Sequence, residues 1–168
     1  MKEDWEKLPL FHKAQDILTL VEHLVKAVEQ TDIEFEEEIQ VEMLQHHLEY
    51  LKKNAMTIPA KIAGVASEDT PYDLRMENAA IIRKAARELI TDARGLQMHG
   101  YKDEEYLDLL WNEVEEFRIL FAEWVKSFDQ WNYIIDRWGL FNPPGVNYDD
   151  QDPDDDLPFN PEDFFDKD

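Results

Sequence analysis

The chain has 168 residues, of which 43% are hydrophobic, so it can form one folded domain with a proper core and a tail. Its 39 acidic side chains against 17 basic ones give a formal net charge of −22, which disfavours direct binding to nucleic-acid phosphates. Cysteine is absent, which excludes disulfides and thiolate metal sites, and neither a membrane-spanning apolar stretch nor a secretory signal is evident, so we expect a cytoplasmic protein.

Helices 1 and 2 are predicted from hydrophobic residues that alternate at spacings of three and four. Helix 1 begins at Pro9, whose missing N–H suits the first helical position, and its pattern stops near Gln30. Thr31, with Glu34 three residues later, predicts a capping box that starts helix 2. Pro59 should kink or divide helix 2 close to its C-terminal end.

Helix 3 follows a short connection and shows the same periodicity. Thr70 is the expected N-cap, Pro71 the first helical residue, and Gly100 the residue that ends the helix in the C′ position. No strand pattern or repeat of 20 to 50 residues interrupts this series. Three helices with short connections therefore precede the longest apolar stripe of the chain.

The stretch from Asp103 to Trp138 predicts one long fourth helix that Gly139 closes. Its apolar residues keep an unbroken three-four spacing: Leu107, Leu110, Val114, Phe117, Phe121, Trp124, Phe128, Trp131, Ile135 and Trp138. Such a helix would be about 54 Å long and would extend about 20 Å beyond helix 1. The aromatic residues of this extension need cover from another subunit, the chain's own tail or a partner protein.

These elements predict an all-α fold, an antiparallel up-down-up-down four-helix bundle over residues 1–138 with a long fourth helix. Residues 139–168 form the second part, an extended acidic tail rich in Pro, Asp and Phe, with ten acidic residues and one Lys. Apolar anchors in this tail make docking on a groove an alternative to a solvated spacer; they include Leu157, Phe159, Phe164 and Phe165.

Three stretches carry a resemblance to a known family: LFHKAQDIL in helix 1, NAMTIPAKIAG in helix 2 and the Ala-rich third helix. Over roughly residues 5–128 the chain resembles the small bacterial four-helix-bundle proteins encoded in intervening sequences of 23S ribosomal RNA genes. That family includes the accessory variability determinant of diversity-generating retroelements. The resemblance implies a cyclic homo-oligomer, a pentameric ring, with no recognised catalytic residues.

Histidines and carboxylate pairs are the candidates for metal binding or catalysis in this sequence. His46 and His47 are adjacent on a helix and cannot both face one ion, so we expect no metal site and no cofactor. Carboxylate pairs such as Glu113 with Glu116 could hold Mg²⁺ in an all-α nucleotide pyrophosphatase, but they share one helix with Glu105 and its partner Asp108. We therefore predict no catalytic residues and keep the hydrolase as an alternative.

The basic residues of helix 3 are Arg75, Arg83, Lys84, Arg87 and Arg94. We favour their pairing with Glu at helical spacings or across an acidic subunit interface. The alternative is a basic strip that receives the acidic tail of the same or a neighbouring chain. Within the tail, the stretch from Asp154 to Phe159 looks like the acidic tip of bacterial single-stranded-DNA-binding proteins, which recruits genome-maintenance enzymes. In those proteins the Phe ends the chain, whereas nine residues follow it here.

The sequence thus predicts a non-enzymatic homo-oligomeric interaction or scaffold protein. A second hypothesis is an acidic nucleic-acid mimic that occupies the basic surface of a nucleic-acid-processing enzyme. The predicted interaction residues lie on the end of helix 4 and in the tail: Phe128, Trp131, Ile135, Trp138, Leu157, Phe159, Phe164 and Phe165.

Overall fold

The computed structural model describes residues 3–152, which form four α-helices and a short 3₁₀ helix, Asp4–Lys7, without any β-strand. The predicted all-helical class is confirmed for this part of the chain. The α-helices are α1 (Pro9–Glu29), α2 (Glu38–Val65), α3 (Tyr72–Met98) and α4 (Glu104–Lys126).

One core lies between the four helices, because each helix contacts the next and α1 also contacts α4. Every α-helix contributes fully buried side chains to it, among them Ile17, Leu51, Ile82 and Leu110. Two hydrogen bonds show that α2 and α3 run antiparallel: His47 of α2 bonds Asp92 of α3, and Asn54, later in α2, bonds Glu88, earlier in α3. In the described part of the chain, no helix is apolar and long enough to cross a membrane.

The predicted helix start at Pro9 and the predicted helix end at Gly100 are confirmed. Pro9 occupies the first turn of α1. Gly100 follows the C-cap of α3 with a φ of +107°, and the Tyr101 N–H donates to the Leu96 carbonyl at 2.9 Å while the Gly100 N–H donates to the Gln97 carbonyl at 3.3 Å. This pair of bonds is a Schellman motif, which satisfies carbonyls that the end of a helix leaves without partners.

The predicted capping box at Thr31 is wrong. The Thr31 hydroxyl donates to the Ala27 carbonyl at 2.6 Å, so it belongs to the end of α1, and α2 begins only at Glu38. The helix α2 passes through Pro59 without a break, so the expected division there does not occur. Pro71 is the N-cap of α3, one residue later than predicted.

The long fourth helix is also wrong. The helix starts where predicted, with Asp103 as the N-cap whose side chain accepts from the Glu105 N–H at 3.1 Å, but it ends at Lys126 and not at Trp138. Within residues 3–152, α4 is therefore shorter than both α2 and α3. Residues 127–152 leave the helix axis and form an irregular segment, here called the C-terminal segment.

Candidate interaction surface of the C-terminal segment

The chain leaves α4 through a tightened last turn. The Ser127 hydroxyl donates to the Trp124 carbonyl at 2.5 Å, and the Phe128 N–H donates to the Val125 carbonyl at 3.2 Å. The Phe128 side chain is only 4% exposed. Its ring meets the Trp124 ring edge to face, 4.7 Å between centroids, and the Arg75 guanidinium lies 5.0 Å from its centre. Phe128 thus anchors the start of the C-terminal segment to the helices.

Arg75 connects this anchor to the loop between α2 and α3. Its guanidinium donates to the carbonyls of Ala66 at 3.3 Å and Ser67 at 2.6 Å. Burial lowers the pKa of Arg75, while the charges of Glu68 and Asp129 act in the opposite direction. The Arg75 Nε atom is buried and has no hydrogen-bond partner among the described residues, whereas the guanidinium carbon lies over the Phe128 ring in a cation–π contact.

Backbone hydrogen bonds continue the attachment to the start of α3. The Tyr72 N–H donates to the Asn132 carbonyl at 2.7 Å, and the Asn132 side-chain amide donates to the Asp69 carbonyl at 3.2 Å. The Ile134 N–H donates to the Asp73 carboxylate at 3.2 Å. These three bonds hold residues 132–134 against the α2–α3 loop and the first turn of α3.

Asp136 and Asn142 lock the next turn of the segment. The Asp136 carboxylate accepts the N–H groups of Leu140 and Phe141, both at 2.8 Å, and of Trp138 at 3.0 Å. The Asn142 side chain completes the loop by accepting the Asp136 N–H at 2.8 Å and donating to the Asp136 carbonyl at 2.9 Å. Backbone donors, first that of Phe141, lower the pKa of Asp136, so the charged carboxylate is the form that holds the loop.

Two Asp-x-Trp turns recur seven residues apart in the segment. The Asp129 carboxylate accepts the Trp131 N–H at 2.9 Å, as Asp136 accepts that of Trp138. Each turn fixes its backbone through an Asx-type bond and leaves the indole outside: Trp131 is 91% exposed and Trp138 is 96% exposed. Ile134 and Leu140 are exposed nearby in the sequence. We call Trp131, Ile134, Trp138 and Leu140 the exposed aromatic set.

The predicted interaction residues fall into three groups in the structure. Phe128, 4% exposed, and Ile135, 7% exposed, are buried within this chain, because the loop packs them inward. Trp131 and Trp138 are exposed on loops and not on a helix face. The other four residues lie outside the described residues: Leu157, Phe159, Phe164 and Phe165.

Sequence reasoning missed the residues that position these indoles. Asp129 and Asp136 look like ordinary polar residues within the predicted long helix, and Asn142 looks like an ordinary residue of the predicted tail. Their signal is local: an Asp two residues before each Trp is the spacing of an Asx turn, and such turns compete with helix.

The carboxylate pair considered for Mg²⁺ contacts a lysine. The Lys13 Nζ atom of α1 lies 3.0 Å from an oxygen of Glu113 and 2.5 Å from one of Glu116, both on α4. Hydrogen bonds to Glu116 and Glu113 raise the pKa of Lys13, so the ammonium is the stable form. The pair therefore ties α1 to α4 by charge.

A histidine and an aspartate meet between α2 and α3. The His47 Nδ1 atom lies 2.9 Å from an Asp92 carboxylate oxygen, and the His99 ring stacks on His47 at 5.5 Å between centroids. Burial raises the pKa of Asp92, and the bond to His47 opposes this. No cluster of three or more His, Cys, Asp or Glu side chains that could hold a metal ion is found in residues 3–152.

Comparison with known proteins gives no relative. No protein-family model matches the chain, and neither a curated protein nor a solved structure is significantly similar to it.

Proposed function

We propose that the protein is a non-enzymatic interaction protein that forms homo-oligomers, with its helices arranged as an antiparallel up-down-up-down four-helix bundle. A second copy of the chain covers the exposed aromatic set. The observation that carries this proposal is the exposure of Trp131 and Trp138 on two turns that hydrogen bonds hold in place. A homo-oligomer is also what the resemblance described above implies.

Burial of these indoles would stabilise an interface strongly. An aromatic side chain can bury about 150–250 Å², which at about 25 cal/mol per Å² gives a gross gain of about 4–6 kcal/mol per indole, before the costs of association are subtracted. The two turns are already ordered by Asp129 and Asp136, so little conformational entropy is lost when a partner binds. Ordered, exposed Trp residues are the type of residue that dominates binding energy at interfaces.

The contacts of the acidic pair that a hydrolase would use for Mg²⁺ support the non-enzymatic part of the proposal. Glu113 and Glu116 both contact the Lys13 ammonium, and a divalent cation would have to displace it. His47 and Asp92 are engaged with each other between two packed helices. These contacts have structural roles in joining helices, which favours an interaction protein over a catalyst.

The test is the particle mass of the double variant W131E/W138E, measured by light scattering. Wild-type protein should have a multiple of the 20.0 kDa chain mass, and the variant should fall to a single chain because two buried, unpaired carboxylates are costly. The matched control is M56E/M98E, which adds the same charges at two exposed side chains outside the C-terminal segment and should keep the wild-type mass. An unchanged mass for W131E/W138E would refute the interface.

Salt dependence separates this proposal from the nucleic-acid mimic. Copies that each carry a net charge of −22 repel one another, so salt should strengthen their apolar association. Capture of a basic partner by the same acidic chain would weaken with salt instead. A self-association that salt dissolves would contradict an apolar contact through the exposed aromatic set.

A further inference from the structure

A second feature, distant in sequence from the exposed aromatic set, is an apolar groove between α3 and α4. Among neighbouring pairs of α-helices, these two contact each other least, and they leave an open groove of about 690 Å³ between them. Apolar side chains form most of its wall, among them Ile90, Phe117, Phe121 and Val125. A groove of this kind accepts an extended peptide with large apolar side chains.

The rim of the groove is basic, although the chain as a whole is strongly acidic. Four arginines line it: Arg83, Arg87, Arg94 and Arg118. Arg118 pairs with Glu115 at 3.1 Å, and Arg94 lies over the Trp111 ring at 5.4 Å. Arg83, Arg87 and Arg94 are exposed and make no ion pair with any of residues 3–152. Cations left without partners in a chain with 39 acidic residues indicate a place for a further anion.

We infer that the groove binds residues 153–168 of the same chain, with their Phe side chains on its apolar wall and their carboxylates at the arginines. These residues lie outside the described part, and their sequence contains the two chemistries that the groove offers. They include seven acidic side chains and one Lys, interleaved with four large apolar residues, Leu157, Phe159, Phe164 and Phe165. The apolar and anionic residues thus alternate within one short peptide.

The path of the described chain makes this occupant reachable. Phe141 of the C-terminal segment lies beside α3, where it lines a pocket together with Arg83 and Arg87. The same two arginines line the α3–α4 groove, so Phe141 of the segment lies next to two of the groove's cations. The 16 residues that follow Asp152 can span up to about 55 Å when extended, more than the roughly 40 Å length of α3.

The inference does not rest on self-association, because the groove shares no residue with the exposed aromatic set. A chain that never oligomerises could still bind its own tail in the groove. Evidence against self-association would therefore leave the groove inference intact, and the reverse also holds.

The test is site-directed photo-crosslinking of the full chain. Because the protein has no Cys, the substitution N160C gives one attachment site for a benzophenone group between Phe159 and Phe164. After irradiation, mass spectrometry should find crosslinks on α3 around Ile90 and on α4 around Phe121. Crosslinks confined to other parts of the chain would overturn the inference.

An isotope mixture identifies whose tail is bound. In an equal mixture of labelled N160C protein and ¹⁵N-enriched chains without the probe, crosslinked groove peptides should be unenriched, because the tail seats on its own chain. Crosslinks to ¹⁵N-enriched groove peptides would assign the groove to a neighbouring copy and overturn the inference.

A matched pair of variants tests the charge argument. The substitutions R87S/R94S remove two groove cations and should reduce the groove crosslinks about fivefold at low salt. The control K53S/K102S removes two exposed cations elsewhere and should leave the crosslinks unchanged. Equal yields in both variants would contradict the inference.

Binding of a labelled single-stranded oligonucleotide by the full chain, lost in R87S/R94S, would assign the groove to nucleic acid and also overturn the inference.

Discussion

At the scale of single residues, Asp136 determines how Trp138 is presented. Its carboxylate accepts three backbone N–H groups, and its pKa is lowered from the ordinary 3.8. A carboxyl group with a lowered folded-state pKa stabilises the fold above its ordinary value, and this stabilisation is lost as the pH falls through the lowered value. The loop from Asp136 to Asn142 should therefore be stable at neutral pH and loosen only in acid.

The substitution D136N tests this role. We expect the amides of Leu140 and Phe141 to exchange hydrogen faster than in the wild type at pH 7, because one acceptor oxygen is replaced by a donor. In the wild type, their protection relative to the intrinsic rate should fall as the pH drops below 3.8. The control D149N changes an exposed aspartate of the same segment and should leave these amides protected. Equal protection in D136N and the wild type would contradict the role assigned to Asp136.

The imidazole of His47 explains why residue 95 is a glycine. A Cβ atom added at Gly95 would overlap the His47 ring and force it away from Asp92. We expect G95A to lower the free energy of unfolding by about 1–2 kcal/mol, since the lost hydrogen bond outweighs the better helix propensity of Ala. In an H47A background the same substitution should be stabilising, by up to about 1 kcal/mol. Denaturant unfolding of the wild type, G95A, H47A and H47A/G95A checks this. A change in the free energy of unfolding of the same sign in both backgrounds would contradict the packing argument.

At the scale of helices, we expect alanine substitutions at two glycines to change the stability of the protein in opposite directions. Gly100 ends α3 with a φ of +107°, and an added Cβ would lie 2.8 Å from the Ile33 Cγ2 atom. We expect G100A to destabilise the protein by about 1–2 kcal/mol. Gly64 lies inside α2 with open space around it, so G64A should stabilise by up to about 1 kcal/mol. Thermal unfolding midpoints that shift in the same direction for both variants would contradict the backbone geometry described for these two glycines.

The sequence predicts α1, α2 and α3 well, because their apolar spacing coincides with the side chains that the core buries, such as Ile17, Leu51 and Ile82. It fails beyond Lys126 because a three-four spacing does not determine the backbone: of the last four residues of the stripe, two are buried on a loop, and the other two, Trp131 and Trp138, are exposed. Phe128 and Ile135 fit the stripe and are indeed buried, but a loop carries them.

The interaction residues were predictable only in part. Trp131 and Trp138 stand out in the sequence as large residues that need cover. Their attachment depends on backbone bonds to side chains such as Asp129 and Asp136 and on the distant contacts of Arg75, and helical periodicity contains no information on either. The arginine groove likewise needs the packing of α3 beside α4 to become visible.

At the scale of the whole molecule, two opposing forces set its association. A net charge of −22 keeps copies apart, while two nearly fully exposed indoles favour contact between them. Hydrogen bonds from Asp129 and Asp136 fix the two turns that display those indoles. We therefore expect an assembly whose stability rises with salt and depends on Trp131 and Trp138.

The most direct measurement is analytical ultracentrifugation of the full chain over a micromolar concentration series, with iodide quenching of tryptophan fluorescence on the same samples. The account predicts particles that are a multiple of 20.0 kDa and a quenchable fraction that falls as they assemble, because Trp131 and Trp138 become covered. Particles of 20.0 kDa at every concentration, with both indoles freely quenched, would contradict it.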